Sequence, residues 1–149
     1  MARSYYSMVL DDPADDVWAV IRPFGHYSWA GVTSETVIED GKADDQISAV
    51  RRVSTGERTI RQVLLAHSDV DRSYTYAFVG APPFPVRNYT ATIRVSPVVE
   101  SNAAFVEWWA TFDCAAEELA RWTTFFERDG FAKWLGALRQ FMRERRAAC

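Results

Sequence analysis

The chain has little of what metal and nucleophile chemistry requires. It carries two histidines, His26 and His67, and two cysteines, Cys114 and Cys149, among 149 residues. Neither histidine lies in a HExxH or CxxC context, so no metal site and no cofactor is expected. The cysteines stand at a predicted strand end and at the terminus, which makes no disulfide framework, and they are read as free thiols. No serine sits in a recognisable nucleophile elbow with histidine and aspartate partners. An excess of one charge is missing too. A formal net charge of -3 gives no basic footprint, which argues against nucleic acid and anionic membranes as partners. Arg143, Arg145 and Arg146 close a predicted helix, where cations suit the macrodipole. No apolar run approaches the roughly 18 residues that span a membrane, and Met1-Ala-Arg-Ser-Tyr-Tyr6 lacks the apolar centre of a signal peptide. The expected location is the cytoplasm, with no membrane insertion. Repeats, linkers and low-complexity segments are absent, so residues 1–149 read as a single domain.

Large aromatic residues, by contrast, are plentiful: 14% of the chain, with six tryptophans. Such rings line a cavity as readily as they fill one. Tyr5 to Leu10 reads as a strand, and Asp11-Asp12-Pro13 as a helix start with the proline at the first helical position. Ala14, Val17, Trp18 and Ile21 then repeat at helical spacing until Pro23. A brief second helix fits around His26 to Trp29. Strands follow at Thr33–Glu39, Ile47–Val53, Arg58–His67, Ser73–Val79, Asn88–Val95 and Phe105–Phe112, with turns at Asp40-Gly41, Ser54-Thr55-Gly56 and the proline-rich Ala81–Pro85. By the period of two, Ile60, Gln62, Leu64 and Ala66 share a face, as do Tyr74, Tyr76 and Phe78. In the last strand Phe105, Glu107, Trp109 and Thr111 oppose Val106, Trp108, Ala110 and Phe112, and pattern alone does not say which set faces inward. Leu119, Trp122, Phe126, Trp134, Leu138 and Phe141 keep a helical stripe long enough for a helix of about 40 Å. Gly130 lies on that stripe; either it breaks the helix or its missing side chain leaves space beneath it. Strands followed by one long helix predict an α+β domain with an antiparallel sheet.

The order of elements resembles the helix-grip fold, and the sequence resembles the polyketide cyclase/dehydrase branch of the START-like (SRPBCC, Bet v 1-like) superfamily. The residues that carry the likeness are Pro13–Val20 with Phe24, Ala49–Arg52, Asp71–Tyr76, Pro85–Arg94, Phe105–Trp108 with Phe112, and Asp129-Gly130-Phe131 with Leu135. The resemblance implies a curved sheet of about six or seven strands wrapped around the terminal helix, two short helices after the first strand, and a cavity between helix and sheet. Across the family that cavity serves apolar or amphipathic small molecules. The plant hormone receptors of the superfamily place a lysine near Ser28 and gating loops at Ser54–Glu57 and Ala81–Pro85; this chain lacks those motifs, so a gated hormone switch is not implied.

Carried onto this chain, the resemblance points Gln62, Tyr89, Glu107, Trp122, Phe126 and Gly130 at the cavity. Trp29, Arg51, Tyr76 and Trp109 complete the candidate binding set. Arg51 and Glu107 are the sharpest pair, because a charge-assisted hydrogen bond in a low-dielectric cavity is worth about twice a neutral one. Three functions fit. The first is a binder of a small apolar or ring-containing ligand. The second is an aromatase/cyclase-like enzyme in which Glu107 or His26 moves protons while Arg51 or Tyr89 polarises a carbonyl. The third is an interaction module whose cavity has collapsed around its rings. Of Trp108 and Trp109 only one can face inward, leaving the other available for a homodimer contact.

Overall fold

The computed structural model describes residues 1–32, 35–55 and 58–148. The start of the predicted second strand at Thr33, the Gly56 position of the predicted turn, and Cys149 lie outside the described residues. The chain opens with β1 (Ala2–Leu10), α1 (Ala14–Ile21) and a one-turn 3-10 helix (Ser28–Ala30). The strands β2 (Glu35–Ile38), β3 (Val50–Thr55), β4 (Arg58–Ser68), β5 (Ser73–Phe78), β6 (Arg87–Val98) and β7 (Ala103–Asp113) follow. All seven join one sheet in the order β1-β7-β6-β5-β4-β3-β2, with every pairing antiparallel. The terminal helix runs through α2 (Leu119–Thr124), a π-helical stretch (Phe125–Ala132) and α3 (Lys133–Ala147).

Alternation decides which sheet face meets the helix. Val106, Trp108, Ala110 and Phe112 of β7 are fully buried, as are Ala91, Ile93 and Val95 of β6. Opposite them, Phe105, Glu107 and Trp109 point to the outer face. A register shift in β4 between Leu64 and Ala66 breaks the predicted grouping. Leu64 is buried, but Ala66 is exposed, and the His67 side chain turns back under Trp18, with ring centroids 5.6 Å apart. One extra residue in a bulge reverses which way every later side chain points.

Gly130 neither breaks the terminal helix nor leaves a void. The π-helical stretch spaces its buried residues five apart at Phe126 and Phe131, both fully buried, and Leu135 and Leu138 continue that line. The space beside Gly130 is taken by the Trp134 indole: a Cβ there would meet its ring carbons at 3.2 Å. Asp12, predicted as part of the α1 cap, does other work. Pro13 is the N-cap, its carbonyl accepting from Asp16 and Val17, while buried Asp12 accepts from Arg146 at 2.7 Å and so ties the start of α1 to the end of α3.

Asp69, in the β4–β5 turn, fastens α1 to the sheet. Its carboxylate accepts from Arg22 Nε at 2.8 Å, Trp18 Nε1 at 3.0 Å and His67 Nε2 at 3.1 Å. Hydrogen bonding from Arg22, and next from Trp18, holds the Asp69 carboxyl well below the usual carboxylate range. A depressed native pKa contributes stability that is complete above the unfolded value of about 4 and is lost as pH falls through the native value. Because Asp69 is half exposed, the contribution is modest. Asp69→Asn is therefore expected to lower the urea midpoint at pH 7, with the gap to wild type narrowing at pH 2. A gap of equal size at both would remove Asp69 from the acid response.

Candidate functional site

Between the terminal helix and the β3–β5 end of the sheet lies an apolar cleft of about 120 Å3. Val53, Ile60, Gln62 and Phe78 form its sheet side and Trp134 its helix side. Tyr27 and Val32 close it from the segment around the 3-10 turn, and Pro83 with Phe84 close it from the β5–β6 loop. The Phe84 ring is held edge-on by Phe126 at 5.2 Å and packs on Phe125 at 5.3 Å and Phe78 at 6.4 Å. A larger depression of about 400 Å3 adjoins the cleft, and Ile60, Phe78, Pro83 and Phe84 line both spaces.

Behind Gln62 and Tyr27 sits Arg51, with no exposed surface. Its guanidinium carbon lies 3.9 Å from the Tyr27 ring centre, 4.2 Å from Phe24 and 4.9 Å from Tyr76. Such contacts offset part of the cost of desolvating a cation. Nε donates to Gln62 Oε1 at 2.6 Å, whereas Nη1 reaches Phe24 O and Tyr74 Oη only at 3.4 Å. Nη2 is buried and has no partner among the described residues. Burial opposes the charge on Arg51, the surrounding tyrosine oxygens offset it, and the group stays ionised. Burial likewise drives the Tyr27, Tyr76 and Tyr89 hydroxyls above the ordinary phenol range, so these phenols stay neutral.

The structure separates the predicted pair. Glu107 lies on the outer face, accepting from Arg94 Nη2 at 2.9 Å and Tyr5 Oη at 2.7 Å. It does not meet Arg51, because β7 alternation turns it away from the helix. Trp109 is on the same outer face, stacked on Tyr5 at 6.5 Å, with the Arg3 and Arg94 guanidinium groups over its ring. Trp29, Tyr76, Tyr89, Trp122 and Phe126 are buried in the core rather than lining the cleft. Trp29 donates to His26 O at 2.9 Å, and Tyr76 Oη accepts from Trp108 Nε1 at 3.2 Å. His26 donates through Nδ1 to Val20 O, since a carbonyl can only accept, and this leaves Nε2 to accept the Ser28 hydroxyl at 2.9 Å. Of the candidate binding residues, Gln62 alone lines the cleft, and Arg51 backs it. The residues missed were legible in part. Phe78 shares a face with Tyr74 and Tyr76, and Trp134 lies on the helical stripe. Phe84, an apolar ring among prolines, carried the weakest signal.

Among the described residues, no cluster of three or more histidine, cysteine or acidic side chains could hold a metal, and no helix is long and apolar enough to cross a membrane. A curved seven-stranded antiparallel sheet closed by a long C-terminal helix, with short helices after the first strand, is the Bet v 1-like helix-grip fold. The chain belongs to the family described as polyketide cyclase / dehydrase and lipid transport, which it matches over residues 1–148. It is similar to a solved protein of Thermobifida fusca, at 30% identity over 93% of this chain and 91% of that one, with a TM-score of 0.81. Protein XoxI of Bacillus cereus is also similar, at 30% identity over 94% of each chain and a TM-score of 0.80. The norcoclaurine synthase of Thalictrum flavum, solved as a point mutant with a transition state analogue, shares the fold at 14% identity, covering 97% of this chain and 95% of that one with a TM-score of 0.73. No curated protein matches.

Proposed function

We propose that this protein binds a small apolar, ring-containing molecule in the cleft between the terminal helix and the sheet. The observation that carries the reading is the cleft's construction: apolar walls with a single amide, Gln62, on the sheet side and a buried cation behind it. Ligand pockets are commonly built this way, with burial supplying affinity and a few polar groups fixing orientation. Family membership supports the same reading. A volume of about 120 Å3 suits one ring. Larger ligands, for which pockets of about 300 Å3 and above are usual, require Phe84 to swing aside. The direct test is native mass spectrometry of protein taken from its own host, with denaturing extraction of whatever it retains. A stoichiometric ring-bearing molecule is expected. Protein that arrives empty and takes up no aromatic compound from a panel of one- and two-ring molecules would refute the assignment.

A cyclase reading is favoured by one observation, the ionised Arg51 among neutral phenols, which could polarise a carbonyl as an enolate forms. The outer-face position of Glu107 removes it from that scheme. Glu107→Gln is therefore expected to leave ligand uptake, and any turnover of a poly-β-keto substrate, unchanged. It should cost about 1 kcal/mol of stability, since it removes the charge from an ion pair whose Arg94 side is half exposed, while the amide oxygen can still accept from Tyr5. Loss of uptake or turnover in this variant would return Glu107 to the site.

A further inference from the structure

We infer that the ligand of this cleft carries a carboxylate on its ring system and that Arg51 is the group that receives it. The inference rests on the reading above, that the cleft takes a ring-containing molecule, and it specifies that molecule's charge.

Arg51 differs from the paired arginines of the chain. Arg22, Arg61, Arg72, Arg94 and Arg146, all with exposed or partly exposed side chains, each meet a carboxylate at 2.7–2.9 Å. Arg51, which is wholly buried and so has most need of one, has no carboxylate partner among the described residues. An ion held away from water without a counter-ion is unfavourable, and a chain with surface acids to spare has placed none of the described ones beside Arg51.

The unfilled edge of the guanidinium has the shape of the missing partner. A guanidinium presents Nε–H and one Nη2–H side by side on one edge, parallel and spaced for the two oxygens of a carboxylate. On Arg51 half of that edge is filled. Gln62 Oε1 accepts from Nε at 2.6 Å, and Nη2 beside it has no acceptor among the described residues. A single amide oxygen cannot satisfy both donors, whereas a carboxylate can. Gln62 and Tyr27 flank the guanidinium and also form part of the cleft wall. A flat acid with its ring against Phe78, Ile60 and Trp134 would bring its carboxylate to Gln62, displace the amide oxygen and take both Nε and Nη2. Tyr27 and Phe24 would hold the guanidinium for this fork.

The test uses matched pairs that differ in charge and little else: benzoate and benzamide, cinnamate and cinnamamide, 2-naphthoate and 2-naphthamide. Calorimetric titration of the full chain at pH 7, where these acids are ionised, should show at least one acid binding about tenfold or more tighter than its amide, about 1.4 kcal/mol. In Arg51→Met the acid-to-amide ratio should fall to about one. Should Arg51→Met fail to fold, the Arg51 Nε–H resonance of the wild type provides a second readout, which the acid should move and the amide should not. Equal affinity for acid and amide, or a preference that survives Arg51→Met, would overturn the inference while leaving ring binding intact. Failure of every acid and every amide to bind would overturn the ring-binding reading and the carboxylate with it.

Discussion

Trp108→Ala is expected to cost about 3–5 kcal/mol of stability, while Trp109→Ala, one residue along the same strand, should cost about 1 kcal/mol or less. Trp108 is fully buried, with its ring 5.2 Å from Phe131, 5.3 Å from Trp134 and 5.6 Å from Trp29, and its indole N–H bonded to Tyr76. Removing it leaves a large cavity where helix, sheet and the 3-10 turn converge, and strips Tyr76 Oη of a donor. Trp109 covers the outer face and loses only contacts with Tyr5 and two arginines. For a chain of this length, the Trp108 variant should melt about 6–20 °C below wild type. Urea unfolding of the two variants checks this directly. A larger loss in Trp109→Ala than in Trp108→Ala would mean that the faces of β7 are assigned the wrong way round, and similar losses would mean that both rings are equally buried.

Phe84→Ala is expected to change which ligands enter. Phe84 lines both the 120 Å3 cleft and the adjoining 400 Å3 depression. Its removal joins the two spaces and admits two- and three-ring compounds. Affinity for a naphthalene-class fluorescent probe such as anilinonaphthalene sulfonate should rise about tenfold, the equivalent of roughly 1.4 kcal/mol. The ring is half-buried, so stability should fall by about 2 kcal/mol, below the range for a fully buried phenylalanine. Unchanged probe affinity would show that Pro83 and the neighbouring backbone, rather than the ring, separate the spaces.

Much of the architecture was legible because it rests on periodicity. Strand pattern, turn chemistry and the terminal apolar stripe are local signals, and they led to an α+β domain with an antiparallel sheet; the resemblance to a known family implied the helix-grip fold, and the structure bears both out. The site was less legible, for identifiable reasons. Period two divides β7 into two sets without saying which is inside; both contain large aromatics, and only pairing with β1 and β6 turns Trp108 inward and Glu107 out. The β4 bulge moved His67 under Trp18, a shift that depends on register with β5. At Gly130 the sequence offered a break or a void, while the helix took a π-helical path and Trp134, four residues on, filled the space. Arg51 and Gln62 were both singled out, but as separate candidates. Their contact follows from the cross-strand register of β3 and β4, where they stand directly opposite one another.

What the sequence alone determined is therefore the set of elements, their order and the aromatic content of the interior, since each is written in local spacing and composition. Tertiary structure decided that, among the described residues, the buried cation is partnered by rings and one amide rather than by an acid. It also decided that the cleft opens at the β3–β5 end beneath Phe84. Both depend on which residues meet across strands and between sheet and helix, and those distances are set by register and curvature that no single segment encodes.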